Sequence, residues 1–323
     1  MIRSLVASAA ESGDFTVRRN LETDQLEKAL SEKCLLWIDC VSPEPEEISW
    51  IAAQFGVNPV IVEDLRRDDH RPVLLVYSNY LFLSMIEPRI KLNRVEGREV
   101  HCLVTDTCFI TVRPADAESV DDAYDRAAQS ADIWHSGVAY CFYLTAQHLT
   151  DTYYPLLDRI SNQLNEREEY LLNDGVINDT ARRPVYAIKK QLINLRQMVA
   201  PQREVFSNVI GEKRLTENSD TRDLFRHLYE RLLRVYDIID SQRDLSSNVL
   251  DMMQNQESRK LVDAVSRLTI FSMIFLPLTF FTGLFQLNFA QIADPIVLPV
   301  NGTLLFVLVM GAMLYIFRRR GWF

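Results

Sequence analysis

Acidic residues recur at seven-residue steps in the second half of the chain. They are Asp223, Glu230, Asp237, Asp244 and Asp251. The same step continues through Ser258, Val265, Ser272, Thr279 and Gln286. A 3.5-residue repeat keeps such positions on one face of a supercoiling helix, so the spacing predicts a single polar face. Around an axis shared by several copies, this face would line an aqueous ion path with acidic rings at its inner mouth.

A second interpretation of the acids is a solvated outer face. Four arginines of the same segment could balance their charge: Arg222, Arg226, Arg234 and Arg243. Charge runs on helices are commonly of this kind. The pattern favours the pore face at Asp251, which lies closest to the apolar sequence that follows, and leaves both interpretations open for the acids before it.

Two long uncharged runs follow the acidic series. Residues 268–287 and 296–317 are 20 and 22 residues without a formal charge. At 1.5 Å rise per residue, each is long enough for a hydrocarbon core of roughly 30 Å. The second run ends on Arg318, Arg319 and Arg320, which marks the cytoplasmic side of a span. The pair therefore predicts a membrane hairpin with both chain ends in the cytoplasm, and buried core helices are the disfavoured alternative.

Composition excludes several classes of function. Residues 254–323 carry six basic and three acidic residues, and subtracting that +3 from the whole chain's −9 leaves −12 for residues 1–253. So acidic a region is a poor ligand for nucleic acid. The five cysteines form no CxxC pair, which favours reduced thiols over disulfides or a zinc cluster. No phosphate-binding loop or nucleophile elbow is present, so we expect no enzyme and no prosthetic group.

The elements that must position these residues fall into two regions with different sequence patterns. Residues 1–136 alternate β-rich runs with helices, which predicts an α/β domain. Strands are expected at 35–40, 73–86, 100–104 and 108–112, with a turn at 96–98 and helices beginning at Ser42 and Asn58. Residues 137–217 are helical in pattern, with kinks or breaks expected at Pro155, Pro184 and Pro201. One very long helix is predicted from about residue 220 to 288.

The segment 275–289, FLPLTFFTGLFQLNF, resembles the end of the first span of CorA-type divalent cation transporters. In that family a Pro-Leu-Thr-Phe segment leads to Gly-Ile-Tyr-Gly-Met-Asn-Phe. Upstream, VEDL at 62–65 and HRP at 70–72 are similar to the family's Glu-Asp and Arg-Pro stretch. The basic tail with its terminal Trp and Phe also fits, so the resemblance covers nearly the whole chain.

The resemblance implies an α+β membrane protein of the inner membrane that assembles as a homopentameric funnel. Each subunit would contribute a cytoplasmic α/β domain (1–136), a helical region (137–217) and a stalk helix continuing into the first of two transmembrane helices (218–288). An external loop (289–295), a second span (296–317) and a cytoplasmic tail (318–323) would follow. The implied partners are other copies of the chain, the lipid bilayer and divalent cations.

Position by position, the family's Gly-Met-Asn selectivity motif falls on Gln286, Leu287 and Asn288. The implied pore-lining positions are Asp251, Val265, Ser272, Leu276, Thr279 and Gly283. Gln286 departs from the family glycine, which permits a positive φ and close backbone approach. Its amide oxygen could coordinate or hydrogen-bond a hydrated ion, or obstruct it. The external loop has a single carboxylate, Asp294, to attract cations.

The family also implies a regulatory Mg²⁺ site between cytoplasmic acids. Its stalk position falls near His227, and its partner region, residues 88–91, is basic here. The site is therefore expected to be missing. Asp223 and Glu230 are the candidate substitute ligands, and an ordinary surface His with solvated neighbours is an equal alternative.

Ligand chemistry favours Mg²⁺ as the transported ion. Mg²⁺ gives up water reluctantly, so amides and hydroxyls such as those of Asn288, Gln286 and Thr279 suit its hydration shell. Zn²⁺, Ni²⁺ and Co²⁺ prefer imidazole or thiolate, and no His or Cys follows His227. A ZntB-like transporter of those ions, with proton coupling, is the alternative, and a non-conducting membrane-anchored scaffold is a further one.

Overall fold

The computed structural model describes residues 1–9, 15–21, 23–32, 34–67, 71–92, 94–172, 179–217, 219–286 and 307–312, with residues 315, 318 and 319. The chain divides into two compact units, Met1–Leu250 and Asp251–Phe323. The first contains a seven-stranded sheet and the helices that cover it. The second contains the last part of the longest helix and the described residues after it.

A single mixed sheet organises the first unit. Its strands are β1 (Ile2–Ala9), β2 (Phe15–Arg19), β3 (Leu35–Val41), β4 (Leu74–Val76), β5 (Leu81–Lys91), β6 (Arg94–Val104) and β7 (Cys108–Arg113). The spatial order is β2-β1-β3-β7-β6-β5-β4. Only β3 and β7 pair in parallel; the other neighbours are antiparallel. The two parallel strands lie at the centre, where nearly every residue is buried, as expected for strands covered on both faces.

Helices precede, separate and follow the strands. They are α1 (Thr23–Ser31), α2 (Pro45–Phe55), α3 (Pro59–Asp64), α4 (Ser119–Gln129), α5 (Val138–Asp151), α6 (Tyr153–Leu172), α7 (Asp179–Val209) and α8 (Ser219–Gln286), with a 3-10 helix at Ala131–Ser136. The predicted α/β domain in the first part of the chain and the predicted long helix from about residue 220 are both confirmed. One sheet face packs against α2 and α3 through a core that includes Ile38, Ile51, Phe82 and Ile110.

The start of α2 differs from the prediction. Ser42 is not its N-cap; the helix begins at Pro45, with Glu44 at the cap. The Glu44 backbone N–H donates to Glu47 Oε2 at 2.9 Å, which closes a reciprocal capping box. Ser42 has φ 42° and accepts a hydrogen bond from the Ala115 N–H at 3.0 Å, so it joins β3 to the loop after β7 instead.

Two strand predictions need correction. The expected strand at 73–86 is a hairpin, with β4 and β5 separated by residues 77–80. The expected turn at 96–98 lies inside β6, because the reversal occurs at Leu92, whose φ is 48°. Gly97 faces Pro88 in the ladder, and a Cβ there would lie 2.6 Å from Ile86 Cγ2. Gly97 is therefore a close-packing position within a strand and not a turn residue.

The three prolines expected to kink or break helices behave differently from one another. The predicted series 138–172 splits at Thr152, where α5 ends and α6 begins just before Pro155. A proline two residues into a helix costs no internal hydrogen bond, which explains its position there. Helix α7 instead continues through both Pro184 and Pro201, so neither residue breaks the helix. Tertiary packing of its buried face outweighs the local penalty.

The outer edge of β5 is capped by helix side chains. Strand β4 covers only Leu81–Leu83, which leaves the Ile86 backbone without a strand partner on that side. The Ile86 N–H donates to Gln202 Oε1 at 3.2 Å, and the Ile86 carbonyl accepts from Tyr153 Oη at 2.9 Å. Gln202 Nε2 also donates to Tyr153 Oη at 2.7 Å. A glutamine of α7 and a tyrosine of α6 thus take the place of a neighbouring strand.

We expect Gln202→Leu to destabilise the first unit. Leucine keeps the bulk but leaves the buried Ile86 N–H without an acceptor, a loss of about 1–3 kcal/mol. For a unit of this size the thermal midpoint should fall by roughly 2–10 °C. Thermal unfolding of the whole protein in detergent, followed by circular dichroism, measures it. Gln197→Leu, an exposed position on the same helix, is the matched control; equal midpoints for the two variants would contradict the capping role.

A buried charge network ties β3 and β7 to β1 and α4. Asp39, which is fully buried, accepts hydrogen bonds from Thr111 Oγ1 (2.6 Å), Arg113 Nε (3.2 Å) and Arg3 Nε (3.1 Å). Asp121 receives the Arg113 guanidinium at 2.6 Å and the Arg3 guanidinium at 2.7 Å. The charges of buried Asp39 and Arg113 are thus balanced within the protein, with Arg3 and Asp121 completing the network at its partly exposed side.

The cysteines are free thiols, and four of the five are buried. Burial raises the pKa of Cys40, Cys102, Cys108 and Cys141 well above the ordinary value, because the thiolate would be desolvated. These thiols serve as small apolar side chains of the core.

Candidate ion pathway on helix α8

Helix α8 has a buried stripe that the sequence analysis missed. From Phe225 to Val249 its buried residues recur at alternating steps of three and four: Phe225, Leu228, Leu232, Val235, Ile239, Gln242, Ser246 and Val249. This is the a/d pattern of a coiled-coil seam, and the apolar residues at those positions were a readable signal. Two of its members are polar, which weakened the pattern. Gln242 Nε2 donates to the Leu157 carbonyl of α6 at 3.0 Å.

Charged and aromatic contacts hold this stripe against α5, α6 and α7. Arg231 forms an ion pair with Asp151 at the end of α5 and lies over the ring of Tyr154. Arg196 of α7 pairs with Asp240 at 3.0 Å and donates to Tyr236 Oη at 2.6 Å. The orientation of α8 about its own axis within the first unit is therefore fixed by contacts on one side.

The predicted polar face lies on the opposite side of α8. Asp223 is two residues from Phe225, which is about 200° around a helix of 3.6 residues per turn, and the same offset separates each later acid from the stripe. The four acids of the first unit are all exposed: Asp223, Glu230, Asp237 and Asp244. Among the described residues of this unit, no other element covers them.

The acids of this face differ in their charge partners. Asp223 pairs with Arg226 at 3.3 Å and Asp244 with Arg243 at 3.1 Å, as the solvated-surface interpretation expects. Glu230 and Asp237 have no ion-pair partner within the described part of the chain. Exposed pairs of this kind contribute at most about 1 kcal/mol, so they would not prevent Asp223 or Asp244 from meeting a cation.

The second unit continues the same seven-residue series. Its described members are all exposed: Asp251, Ser258, Val265, Ser272 and Thr279. Thr279 Oγ1 donates to the Phe275 carbonyl at 2.8 Å, the usual bond of a threonine inside a helix. Leu276 is 72% exposed, and a Cβ built on Gly283 would meet nothing within 4 Å. Every described position predicted to line the pore is thus uncovered by the unit's own residues.

Large apolar side chains are also exposed along this part of α8. They include Leu261, Val262, Leu268, Phe271, Phe275 and Phe280. Within the residues that the structure describes, no helix combines the length and apolar character required to cross a membrane. The two spans stay a prediction.

The outer motif lies almost wholly beyond the described residues. Gln286 is the last residue of α8, so its backbone is right-handed helical and does not adopt the positive φ that a glycine would permit. Leu287, Asn288, the external loop with Asp294 and most of residues 296–317 lie outside the described part of the chain. Their predicted roles stay predictions.

The region expected to face the regulatory position is engaged within its own subunit. Arg89 of β5 pairs with Asp116 at 3.6 Å and with Glu118 at 3.5 Å. Glu87, the acid next to this stretch, is 6% exposed and accepts a 2.6 Å hydrogen bond from Ser119 Oγ. Desolvation raises the pKa of Glu87. In the described ranges, no group of three or more His, Cys, Asp or Glu is arranged to hold a metal ion.

Comparison with known proteins agrees with the architecture. Residues 32–320 match the model of the CorA-like Mg²⁺ transporter protein family. The chain belongs to this family. It is 27% identical over 278 residues to the cobalt/magnesium transport protein CorA of Thermotoga maritima, covering 83% of this chain and 77% of the relative. It is 28% identical over 286 residues to the zinc transport protein ZntB of Yersinia enterocolitica, covering 85% and 84%.

A solved relative extends the likeness to three dimensions. The complete structure of the CorA magnesium transporter of Methanocaldococcus jannaschii superposes with a TM-score of 0.81 at 18% identity, covering 99% of this chain and 98% of that one. At this identity the superposition shows the fold. The CorA-like family is a family of transporters and not of enzymes, which agrees with the absence of catalytic motifs from the sequence.

Proposed function

We propose that this protein transports divalent metal cations across a membrane through a path lined by the polar face of α8. The observation that carries the proposal is the two-sidedness of this helix. One side repeats buried residues every 3.5 positions, and the opposite side repeats exposed acids and hydroxyls at seven-residue steps. A side so regular and so uncovered is suited to facing copies of itself around an axis.

Five copies of the chain would close that axis in the inner membrane. The uncharged runs 268–287 and 296–317 would form the two spans, with both chain ends in the cytoplasm. The exposed apolar side chains of the second unit support this arrangement, since such an area on a monomer marks a surface covered by other subunits or lipid.

The cation would enter past Asp294 and meet the outer motif of Gln286, Leu287 and Asn288. The side-chain amides of Asn288 and Gln286 can accept hydrogen bonds from the water shell of the ion without replacing it. Below them, Thr279, Ser272 and Asp251 would offer hydroxyl and carboxylate oxygens, with Gly283, Leu276 and Val265 supplying narrow apolar levels. Rings of such groups select and gate ions in membrane pores.

Mg²⁺ is the proposed ion, because the chain offers oxygen ligands and no imidazole or thiolate after His227. Zinc is the second candidate, since the relative from Yersinia enterocolitica is a zinc transport protein. Its alignment covers 85% of this chain and 84% of the relative. An inward-negative potential supplies the driving force, about 4.6 kcal/mol per 100 mV for a doubly charged ion.

Regulation by a cytoplasmic cation would have to use ligands other than those of the family. Asp223 and Glu230 are the two candidate acids near His227, and the exposed ion pair of Asp223 with Arg226 is too weak to exclude either. The partner surface on β5 offers the guanidinium of Arg89 in place of a carboxylate.

Ion flux in proteoliposomes tests the proposal. The whole protein is reconstituted, a potassium diffusion potential is applied, and uptake of Mg²⁺, Zn²⁺, Co²⁺ and Ni²⁺ is followed with indicator dyes. Mg²⁺ uptake that exceeds Zn²⁺ uptake and increases with the potential is expected. Zn²⁺ uptake that depends on a proton gradient would favour the zinc alternative. Correctly assembled protein that carries none of the four ions would contradict transport and favour the scaffold.

A further inference from the structure

The buried stripe of α8 changes character after the first unit. The heptad series Phe225, Leu232, Ile239, Ser246 and Met253 is buried throughout. Its next two members are Lys260 and Arg267, and both are exposed. The side of the helix that packs against the protein in the first unit therefore carries two cations immediately before the apolar run begins at Leu268.

These two cations face away from the polar side of the helix. Lys260 and Arg267 follow Ser258 and Val265 by two residues, which is about 200° of rotation. Neither has an ion-pair partner among the described residues. Asp263, three residues after Lys260 and four before Arg267, pairs with neither of them. The charge on this side is thus available to a partner outside the unit.

Aromatic side chains continue the same side of α8. Phe271 follows Arg267 by one helical turn and is 57% exposed, and its ring stacks on Phe275 with 4.1 Å between centroids. Along α8 a cation is thus followed by an exposed aromatic pair. A helix that enters a bilayer meets its layers in the same order, with the phosphates before the acyl chains. Arg318 and Arg319 are also helical and exposed, and they add positive charge at the end of the second uncharged run.

We propose that Lys260 and Arg267 bind the headgroups of anionic phospholipids in the cytoplasmic leaflet. The inference rests on the proposed membrane function, and it names a partner that function does not require. Exposed lysine and arginine next to a span attract anionic lipid by roughly five-fold per residue, and a screening salt weakens the attraction. The basic pair would hold the outward side of α8 at a fixed depth, with the polar side directed to the axis.

Lipid selectivity of the reconstituted protein tests this inference. The full chain is placed in phosphatidylcholine vesicles containing a trace of spin-labelled phosphatidylglycerol or phosphatidylcholine, and the motionally restricted fraction of each label is measured. Wild type should prefer phosphatidylglycerol by roughly five-fold or more, and 0.5 M salt should reduce that preference. Lys260→Gln/Arg267→Gln should lower this ratio several-fold, leaving only the preference that Arg318 and Arg319 provide.

Two controls separate charge from folding and from transport. Lys260→Arg/Arg267→Lys keeps the charge and should keep the preference, whereas Arg183→Gln/Lys190→Gln removes two exposed cations from α7 and should not change it. A double Gln variant that retains the wild-type ratio, or a wild type without preference, overturns the inference. Ion flux without lipid preference would contradict lipid binding and leave the transporter proposal standing. Lipid preference without ion flux would contradict transport and leave the lipid-binding inference standing.

Discussion

Ser272→Phe should reduce divalent-cation uptake at least about ten-fold while the protein still assembles. Ser272 is an exposed member of the polar face, and in the proposed pentamer five phenylalanines at one level would form an apolar constriction that excludes a hydrated ion. The hydration shell makes Mg²⁺ sensitive to such narrowing, because the ion gives up its waters reluctantly. Uptake rates in proteoliposomes, normalised to the amount of oligomer measured by size-exclusion chromatography, give the ratio.

Ile274→Phe is the matched control. It lies two residues further along α8 and therefore on the opposite side, so the same ring is introduced without entering the proposed path. We expect uptake within about two-fold of wild type, since it keeps an apolar residue on that side. Equal loss of uptake in both variants would contradict the assignment of the polar face, even if wild type transports ions.

Asp39→Ala should be the most destabilising substitution in the first unit. It removes the acceptor shared by Thr111, Arg113 and Arg3 and leaves a buried guanidinium with half of its charge partners. Breaking a buried pair in this way costs about 3–5 kcal/mol. A fall of roughly 10 °C in the thermal midpoint of the whole protein is expected.

An exposed aspartate of the same region provides the comparison. Asp125 pairs with Arg19 at 3.1 Å, and both side chains are about half exposed to solvent. Asp125→Ala should therefore lower the free energy of unfolding by no more than about 1 kcal/mol. If Asp39→Ala lost no more stability than Asp125→Ala, the buried network would not be the tie between β1, β3, β7 and α4 that its geometry indicates.

The sequence predicted the broad architecture because its signals were local. Buried β-rich runs such as residues 35–40 and 108–112 became β3 and β7, and the absence of Gly and Pro between residue 218 and Pro277 predicted the long α8. Details set by contacts distant in sequence were not predictable. Gly97 has the local appearance of a turn residue, yet Ile86 and Met198 pack against it inside β6. Pro184 and Pro201 are tolerated because the rest of α7 is held by its buried face.

The seven-residue spacing of the candidate site was predictable from the sequence, but the exposure of its side chains was not. The seven-residue recurrence from Asp223 to Thr279 could be read directly, whereas its exposure depended on which side of α8 packs against α5, α6 and α7. That side includes Gln242 and Ser246, whose polarity concealed the seam. Similarly, Gln286 does not adopt the positive φ that the family glycine permits, because α8 extends to that residue.

Mg²⁺ uptake by wild type and by Asn288→Ala, driven by an inward-negative potential in proteoliposomes, tests the central claim most directly. We expect robust uptake by wild type and a loss of at least about ten-fold in Asn288→Ala, because the substitution removes the amides proposed to receive the hydrated ion. Both proteins must assemble equally for the comparison to count. Wild-type uptake that is unchanged by Asn288→Ala would contradict entry through this motif, and assembled wild type without any divalent uptake would contradict transport itself.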